Sequence, residues 1–312
     1  MRVLIAIVTL LTVAGAAAPV VAQTAKVSVG WCSRTISGAA APFAIATKMG
    51  WFRAEGIEVE LVPLPGSGDC VKNLATREVM AALPSVEPLA VGRPQGIKAK
   101  VFYTAYQGNI YGIAVPVDSP VQKFTDLRGK NIGVIAMGSA GVLIARALAA
   151  TNGMNPDKDI NIVVAGEGAQ TAALVRSKQI EALSQYDTQY ALVDNAGVKL
   201  RMLDTKDIDR YPSNGFMTLE ETIKNKRREM VAVAKGYAMG TVFAIANPEA
   251  AVRILYEVYP ATKPTGKDEA TAIRDDVKVL QARIVNWKLE KPASSAGART
   301  RRRTTPPTRT SC

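Results

Sequence analysis

The feature that most constrains this chain is a strand–helix alternation that runs through it twice. Short β-type apolar runs at 26–29, 57–62, 80–83 and 98–106 are separated by helix-like stretches at 42–49, 70–77 and 86–92. Parallel neighbours need long crossovers, which helices supply, so this order predicts a mainly parallel sheet with helices on both faces. A second block repeats the logic from 111 onward. Its strands are expected at 111–117, 131–135, 160–164, 180–183 and 200–203, with helices from 140 to about 151 and at 169–177 and 189–196. A strand at 216–219 looks like a return to the first block. Helices at 220–236, 237–246, 249–259 and 269–288 follow, and Asn247-Pro248 supplies a cap and a first-turn proline for the third of them. A chain of 312 residues is long enough for two cores. The expected fold class is therefore α/β and two-lobed. Each lobe is a mainly parallel sheet flanked by helices, with a hinged cleft between two crossings near 106–111 and 204–215. Lobe 1 is expected over 23–107 and 215–291, and lobe 2 over 108–214.

The two ends depart from this pattern. Met1-Arg2 is positive, 3–18 is almost wholly apolar, and Val20-Val21-Ala22 offers small residues ahead of Gln23. This is the layout of a secretory signal peptide at 1–22, shorter in its apolar run than the roughly 20 residues of a membrane span. No later segment is expected to reach that threshold, and the expected location is the periplasm. Residues 292–312 lose all apolar periodicity and read as a basic low-complexity tail. One back-translation of this tail gives an amphipathic segment in another frame, which is compatible with a frameshift relative to a parent gene. Its five arginines, with Arg2, supply half of the net charge of +12, so the basicity is no argument for a nucleic-acid partner.

The chain has no histidine and three cysteines. Ser-His-Asp and Cys-His catalysis and His-ligated metals are thereby removed, and the cysteines are too few for a zinc ribbon. No enzyme activity, metal or cofactor is expected. In an oxidising compartment a disulfide can persist. Cys32 and Cys70 follow strands that should be neighbours in a doubly wound sheet, so a bridge between them is expected, two buried thiols being the alternative.

In open α/β sheets, ligands sit beyond the carboxyl ends of strands. That rule selects Trp31, Cys32, Ser33, Arg34 and Thr35, then Gly66, Ser67, Gly68, Asp69 and Cys70, then Ser85, then Tyr106 and Gln107. In the second block it selects Gly138, Ser139, Ala140, Glu167, Tyr186 and Asp187. Ser67 and Ser139 enter helices from glycine-rich turns, where free amides favour an anionic group and where Ser also caps routinely. Trp31 can stack on a planar ligand or sit at the core's edge. Arg34 can pair with a carboxylate or sulfonate or stay solvated. Asp69 and Asp187 can meet a cationic group or cap a helix. The ligand-binding set is Trp31, Ser33, Arg34, Ser67, Asp69, Ser85, Gln107, Ser139, Glu167 and Asp187.

Several stretches carry a family resemblance in order. Ala41-Pro42-Phe43-Ala44-Ile45-Ala46 leads into Gly50-Trp51-Phe52-Arg53-Ala54-Glu55-Gly56-Ile57. Asp126-Leu127-Arg128-Gly129-Lys130-Asn131-Ile132-Gly133-Val134 follows, then Gly138-Ser139-Ala140-Gly141, then Ala172-Ala173-Leu174 with Ile180-Glu181-Ala182. Over about 24–290 the chain resembles periplasmic substrate-binding proteins of the nitrate/sulfonate/taurine type, including the NMT1/THI5-like and SsuA-like members. The resemblance implies a type II binding protein, monomeric, that passes a small molecule to the permease of an ABC importer. A small anion or planar organic acid is favoured, with sulfonates, carboxylates, nitrate and pyrimidine precursors all open. The alternative is an enzyme on the same fold, of the pyrimidine or thiamine-precursor type.

Overall fold

A computed structural model describes residues 24–205, 208, 211 and 213–287; the expected signal peptide and basic tail lie outside them. Strand β1 (Ala25–Trp31) is followed by helices α1 (Ala41–Lys48) and α2 (Trp51–Ala54), strand β2 (Ile57–Pro63), helix α3 (Ser67–Ala75), strand β3 (Ala81–Ala82), helix α4 (Glu87–Gly92) and strand β4 (Ala99–Thr104). The second block runs β5 (Tyr111–Pro116), β6 (Asn131–Val134), α5 (Ala140–Thr151), β7 (Asn161–Val164), α6 (Ala169–Arg176), β8 (Ala182–Tyr186), α7 (Asp187–Asn195) and β9 (Leu200–Met202). Strand β10 (Gly215–Leu219) and helices α8 (Glu220–Asn225), α9 (Arg227–Ala246), α10 (Pro248–Val258) and α11 (Glu269–Ile284) complete it.

Two five-stranded sheets result, ordered β2-β1-β3-β10-β4 and β7-β6-β8-β5-β9. Each is mainly parallel, with one antiparallel strand between the third strand and the edge: β10 in the first, β5 in the second. Those two strands are the ones entered by crossing from the other sheet. The fold is thus two α/β lobes of like topology, each completed by a strand that arrives from its partner. Sequence order then puts the carboxyl ends of β1, β3, β6 and β8 at the junction.

The core of the first lobe forms where α1 meets α9 over the sheet. Phe43, Phe216 and Tyr237 lie edge to face with centroids 5.0–5.8 Å apart, joining α1, β10 and α9. Such pairs add about 0.5–1.5 kcal/mol each beyond the area they bury.

Three expectations change. The helices expected at 220–236 and 237–246 are divided instead at Lys226, whose backbone (φ −132°, ψ 34°) leaves the helical region. Gly236 does not break the helix. It gives the ring of Phe52 room to lie against α9, since a Cβ there would collide with Phe52 Cε1. The strand expected at 180–183 lies at Ala182–Tyr186, and its Ser184 and Gln185 are buried although polar. Ser184 Oγ donates to Gly141 O (2.8 Å) and Gln185 Nε2 to Gly166 O (3.2 Å). Finally, α9 is long and apolar enough, by length and composition alone, to cross a membrane, contrary to expectation. Its Met230, Val233, Tyr237 and Ala244 are buried in the protein core, which explains the apolarity.

Candidate functional site

At the end of β1 the chain turns sharply. Ser33 N donates to Trp31 O (2.9 Å), and the Trp31 indole N–H reaches Thr35 O (2.8 Å). Trp31 also packs edge to face on Phe43 at 6.5 Å, so its ring is held from both ends. A disulfide joins Cys32 to Cys70, Cα atoms 5.8 Å apart, and pins this turn to the first turn of α3. Ser67, at the start of α3, accepts a hydrogen bond from Ser85 N (3.1 Å) and so ties in the loop after β3. The two crossings are joined to this wall: Asn214 Nδ2 donates to Leu83 O (2.8 Å), and Asn214 O accepts from Ala105 N and Tyr106 N.

The second lobe faces this wall with the starts of α5, α6 and α7. The lobes touch directly. Gly68 N donates to Gly138 O (2.9 Å), a contact close enough that a Cβ on Gly138 would collide with the Asp69 carboxylate. Glu167 reaches across to the β1 turn, accepting from Ser33 Oγ (2.9 Å), Arg34 N (3.3 Å) and Thr35 Oγ1. Tyr186 donates its hydroxyl to Ser33 Oγ (3.1 Å). Burial, then the nearby Glu167 carboxylate, pushes the Tyr186 phenol up to about 12, so it keeps its proton at neutral pH.

Beneath this lies a buried ion pair. Arg283, 2% exposed, donates from Nε to Asp187 Oδ2 (2.8 Å) and from Nη2 to Asp187 Oδ1 (2.6 Å). Its guanidinium carbon lies 4.1 Å from the centroid of the Tyr106 ring. Asn286 Nδ2 also donates to Asp187 Oδ2 (2.9 Å). Burial, the largest single influence, works against the Arg283 charge, but the Asp187 carboxylate together with Tyr106 and Tyr237 holds the guanidinium above its ordinary value. The pair links α11 to the start of α7.

Two adjoining recesses occupy the cleft, sharing Cys32, Tyr111 and Tyr186. The larger is lined by Trp31, Ser33, Tyr106, Thr188, Asn214 and Arg283 among others. The smaller is lined by Ser67, Ser139, Ser184 and Gln185 among others. Among the described residues, the buried Ser85 Oγ, Ser139 Oγ, Gln185 Oε1 and Thr188 Oγ1 near the cleft have no hydrogen-bond partner. Buried polar atoms are rarely left so, and a bound water or a polar ligand would satisfy them.

Trp31, Ser33, Ser67 and Ser139 line the recesses, and Ser85 adjoins them through Ser67. Glu167 spans the lobes instead of lining a recess, and Asp69 sits at the contact with Gly138. Arg34 is exposed, and its side chain pairs with no described carboxylate. Gln107 is turned away, its Nε2 on Thr104 O (3.3 Å) and its backbone N–H on Asn286 O. Asp187 is committed to Arg283, and its Oδ1 also accepts from Thr188 N (2.6 Å). Sequence reasoning missed Arg283, Thr188, Asn214 and Gln185. Arg283 had a signal: it falls on the apolar face of its helix with Ile273 and Leu280, where a charge must find a partner.

Among the described residues, no group of three His, Cys, Asp or Glu side chains could hold a metal ion. Comparison with known proteins gives a consistent picture. A family model described as NMT1/THI5 like matches residues 38–251. A riboflavin-binding protein, RibY, of Chloroflexus aurantiacus is 25% identical over 223 residues, covering 70% of this chain but only 63% of that protein's length. The alkanesulfonate-binding protein SsuA from Xanthomonas axonopodis pv. citri, solved with MOPS bound, superposes with a TM-score of 0.62 at 16% identity, covering 82% of this chain and 85% of that one. The periplasmic nitrate-binding protein NrtA from Synechocystis PCC 6803 gives 0.57 at 18% identity, over 75% and 66% of the two chains. The two structural likenesses show the periplasmic binding protein fold.

Proposed function

This chain belongs to the NMT1/THI5-like family, and from that premise we propose that it is the extracytoplasmic solute-binding component of an ABC importer. It takes a small organic molecule into the cleft between its lobes and delivers it to the permease. The observation that carries this reading is the cleft itself. Side chains of both lobes meet there through Ser33, Glu167 and Tyr186, around recesses that hold unpartnered buried polar atoms. Such a site binds by enclosure between two rigid bodies, the hinge closure of two-domain receptors.

The remaining features agree with this role. Residues 1–22 serve as a signal peptide, which places the mature chain in the periplasm. Lobe 1 comprises 23–107 and 215–291, lobe 2 comprises 108–214, and the receptor acts as a monomer. Trp31, Ser33, Ser67, Ser85 and Ser139 contact the ligand, while Asp69 and Glu167 act where the lobes meet. The chain catalyses nothing: the cleft holds hydroxyls, amides and a neutralised ion pair, and the sequence has no histidine to serve as a base at neutral pH.

A thermal-shift screen of residues 23–312 against sulfonates, carboxylates, amides, pyrimidines and nitrate tests the reading. A ligand of the folded state stabilises it by about 2.7 kcal/mol at a hundredfold excess over Kd. A saturable shift without turnover supports the receptor; conversion of the ligand to a product would replace it with the enzyme reading.

A further inference from the structure

Resting on the receptor reading, we propose that the turn after β1 is a binding site for a small carboxylate or sulfonate, and that Glu167 of the second lobe is its tethered, displaceable occupant. The site is read from the company Glu167 keeps. Its carboxylate gathers donors from three consecutive residues of the opposite lobe: Ser33 Oγ (2.9 Å) and Arg34 N (3.3 Å) on Oε1, and Thr35 Oγ1 on Oε2. Two hydroxyls and an amide forked around two oxygens form a receptor for an oxyanion, and bonds to a charged acceptor are about twice as strong as neutral ones. The turn also lies beyond the carboxyl end of β1, where ligands of open α/β sheets dock.

The donors are set by groups of their own lobe. The Trp31 indole holds Thr35 O (2.8 Å), Ser33 N holds Trp31 O (2.9 Å), and the Cys32–Cys70 disulfide pins the turn to α3. None of these depends on Glu167, so the three donors keep their places when it leaves. Arg34, exposed and paired with no described carboxylate, gives the turn a positive charge. Glu167, by contrast, is carried on an arm. It stands between Gly166 (φ 71°) and Gly168 (φ 54°), both in the left-handed region that glycine reaches without steric cost. It is only partly buried, so a released carboxylate is rehydrated.

The surrounding cleft requires such a release. The two recesses measure ≈ 30 Å³ and ≈ 10 Å³, room for about a water molecule each. An organic molecule therefore enters only when the lobes part, and parting them takes Glu167 off the turn. Its carboxylate and a ligand's anionic group compete for the same three donors. A tethered group acts at an effective concentration on the order of millimolar, and the apparent affinity of a ligand falls by the fraction of the turn left free. A ligand displaces Glu167 by adding contacts that the glutamate cannot make, with the Trp31 ring among the nearest surfaces. Capture of the anion and release of this bridge between the lobes are then one event.

The test removes the occupant and asks what takes its place. Acetate, benzoate and methanesulfonate are titrated against their uncharged twins acetamide, benzamide and dimethyl sulfone, at constant ionic strength. Binding to the full chain after export is read by calorimetry and Trp fluorescence. In Glu167→Ala at least one anion should bind tenfold or more tightly than in the parent, as expected when Glu167 leaves about a tenth of the turn free; the uncharged twins should not gain. Adding Thr35→Val to that variant should cancel most of the gain. Glu167→Gln, which keeps the shape and loses the charge, should show the same order of probes and serves if the alanine variant melts without cooperativity. No gain for any anion in either variant, or an equal gain for the uncharged twins, overturns the proposal and leaves the receptor reading standing. Turnover of a ligand by the parent overturns the receptor reading, and the anion gain on removing Glu167 is scored separately from it.

Discussion

Replacing Asp187 with alanine tests the account of the hinge most directly. The carboxylate accepts from Arg283 Nε and Nη2, from Asn286 Nδ2 and from Thr188 N. In Asp187→Ala all of these donors lose their acceptor, and the guanidinium, 2% exposed, has no route to water. Removing one partner of a buried ion pair costs about 3–5 kcal/mol, because the surviving charge stays desolvated. The stacking of Arg283 on Tyr106 at 4.1 Å is present in parent and variant alike and offsets none of this. For a chain of this size each kcal/mol moves Tm by roughly 2–4 °C, so the variant should melt about 6–20 °C below the parent. Arg283→Met combined with Asp187→Ala removes the stranded charge, and a double-mutant cycle should return most of the loss as coupling energy. Calorimetry, with urea unfolding followed by Trp fluorescence, reads all four proteins. A single-variant loss under about 1 kcal/mol, or a double variant as unstable as the sum of the singles, would refute the argument that the buried charge dominates.

Four further outcomes are expected. Mass spectrometry after maleimide treatment should add one equivalent to the unreduced full chain, at Cys312, and three after denaturing reduction. Cys70→Ser should lose about 4 kcal/mol, the loop-closure value for a separation of 38 residues. Gly236→Ala should destabilise by about 1–3 kcal/mol despite alanine's better helix propensity, because the new methyl meets the Phe52 ring; a gain in stability would show that the ring can move aside. Asp126, Asp159, Asp194 and Asp268 are all held below the ordinary carboxylate value, chiefly by backbone amides, and at Asp194 by Lys199 and Lys278. Their unfolded forms bind protons more readily, so the stability they lend is present above about pH 4 and is lost as pH falls through the depressed values. Melting temperature should be insensitive to pH near neutrality and fall in that acidic window; a Tm independent of pH down to about 2 would contradict the assignment.

Much of the frame was legible in order along the chain. Side-chain direction repeats every two residues in a strand and every 3.6 in a helix, so alternating runs declare elements locally, and a helix after each strand dictates parallel pairing. The α/β class, the two blocks and the positions at strand ends follow from that alone. Periodicity failed where buried positions were polar, as in Ser184 and Gln185 of β8, since pattern reading takes burial to mean apolar. It also failed at Gly236, where a missing side chain serves packing between elements and not a local break.

The roles of the cleft residues came from elsewhere. Asp187 finds Arg283 at a separation of 96 residues, and Glu167 finds Ser33 at 134. The local sequence around any of these four says only that it is polar and near the end of an element. Which polar groups are spent on each other, and which are left for a ligand, depends on the loops that sheet order and the two crossings bring together. By itself the sequence determined the elements and the ends of the strands where a ligand would be sought. The tertiary structure decided the charge and hydrogen-bonding character of that place, because electrostatic and hydrogen-bond partners are chosen by distance in space and not by distance along the chain.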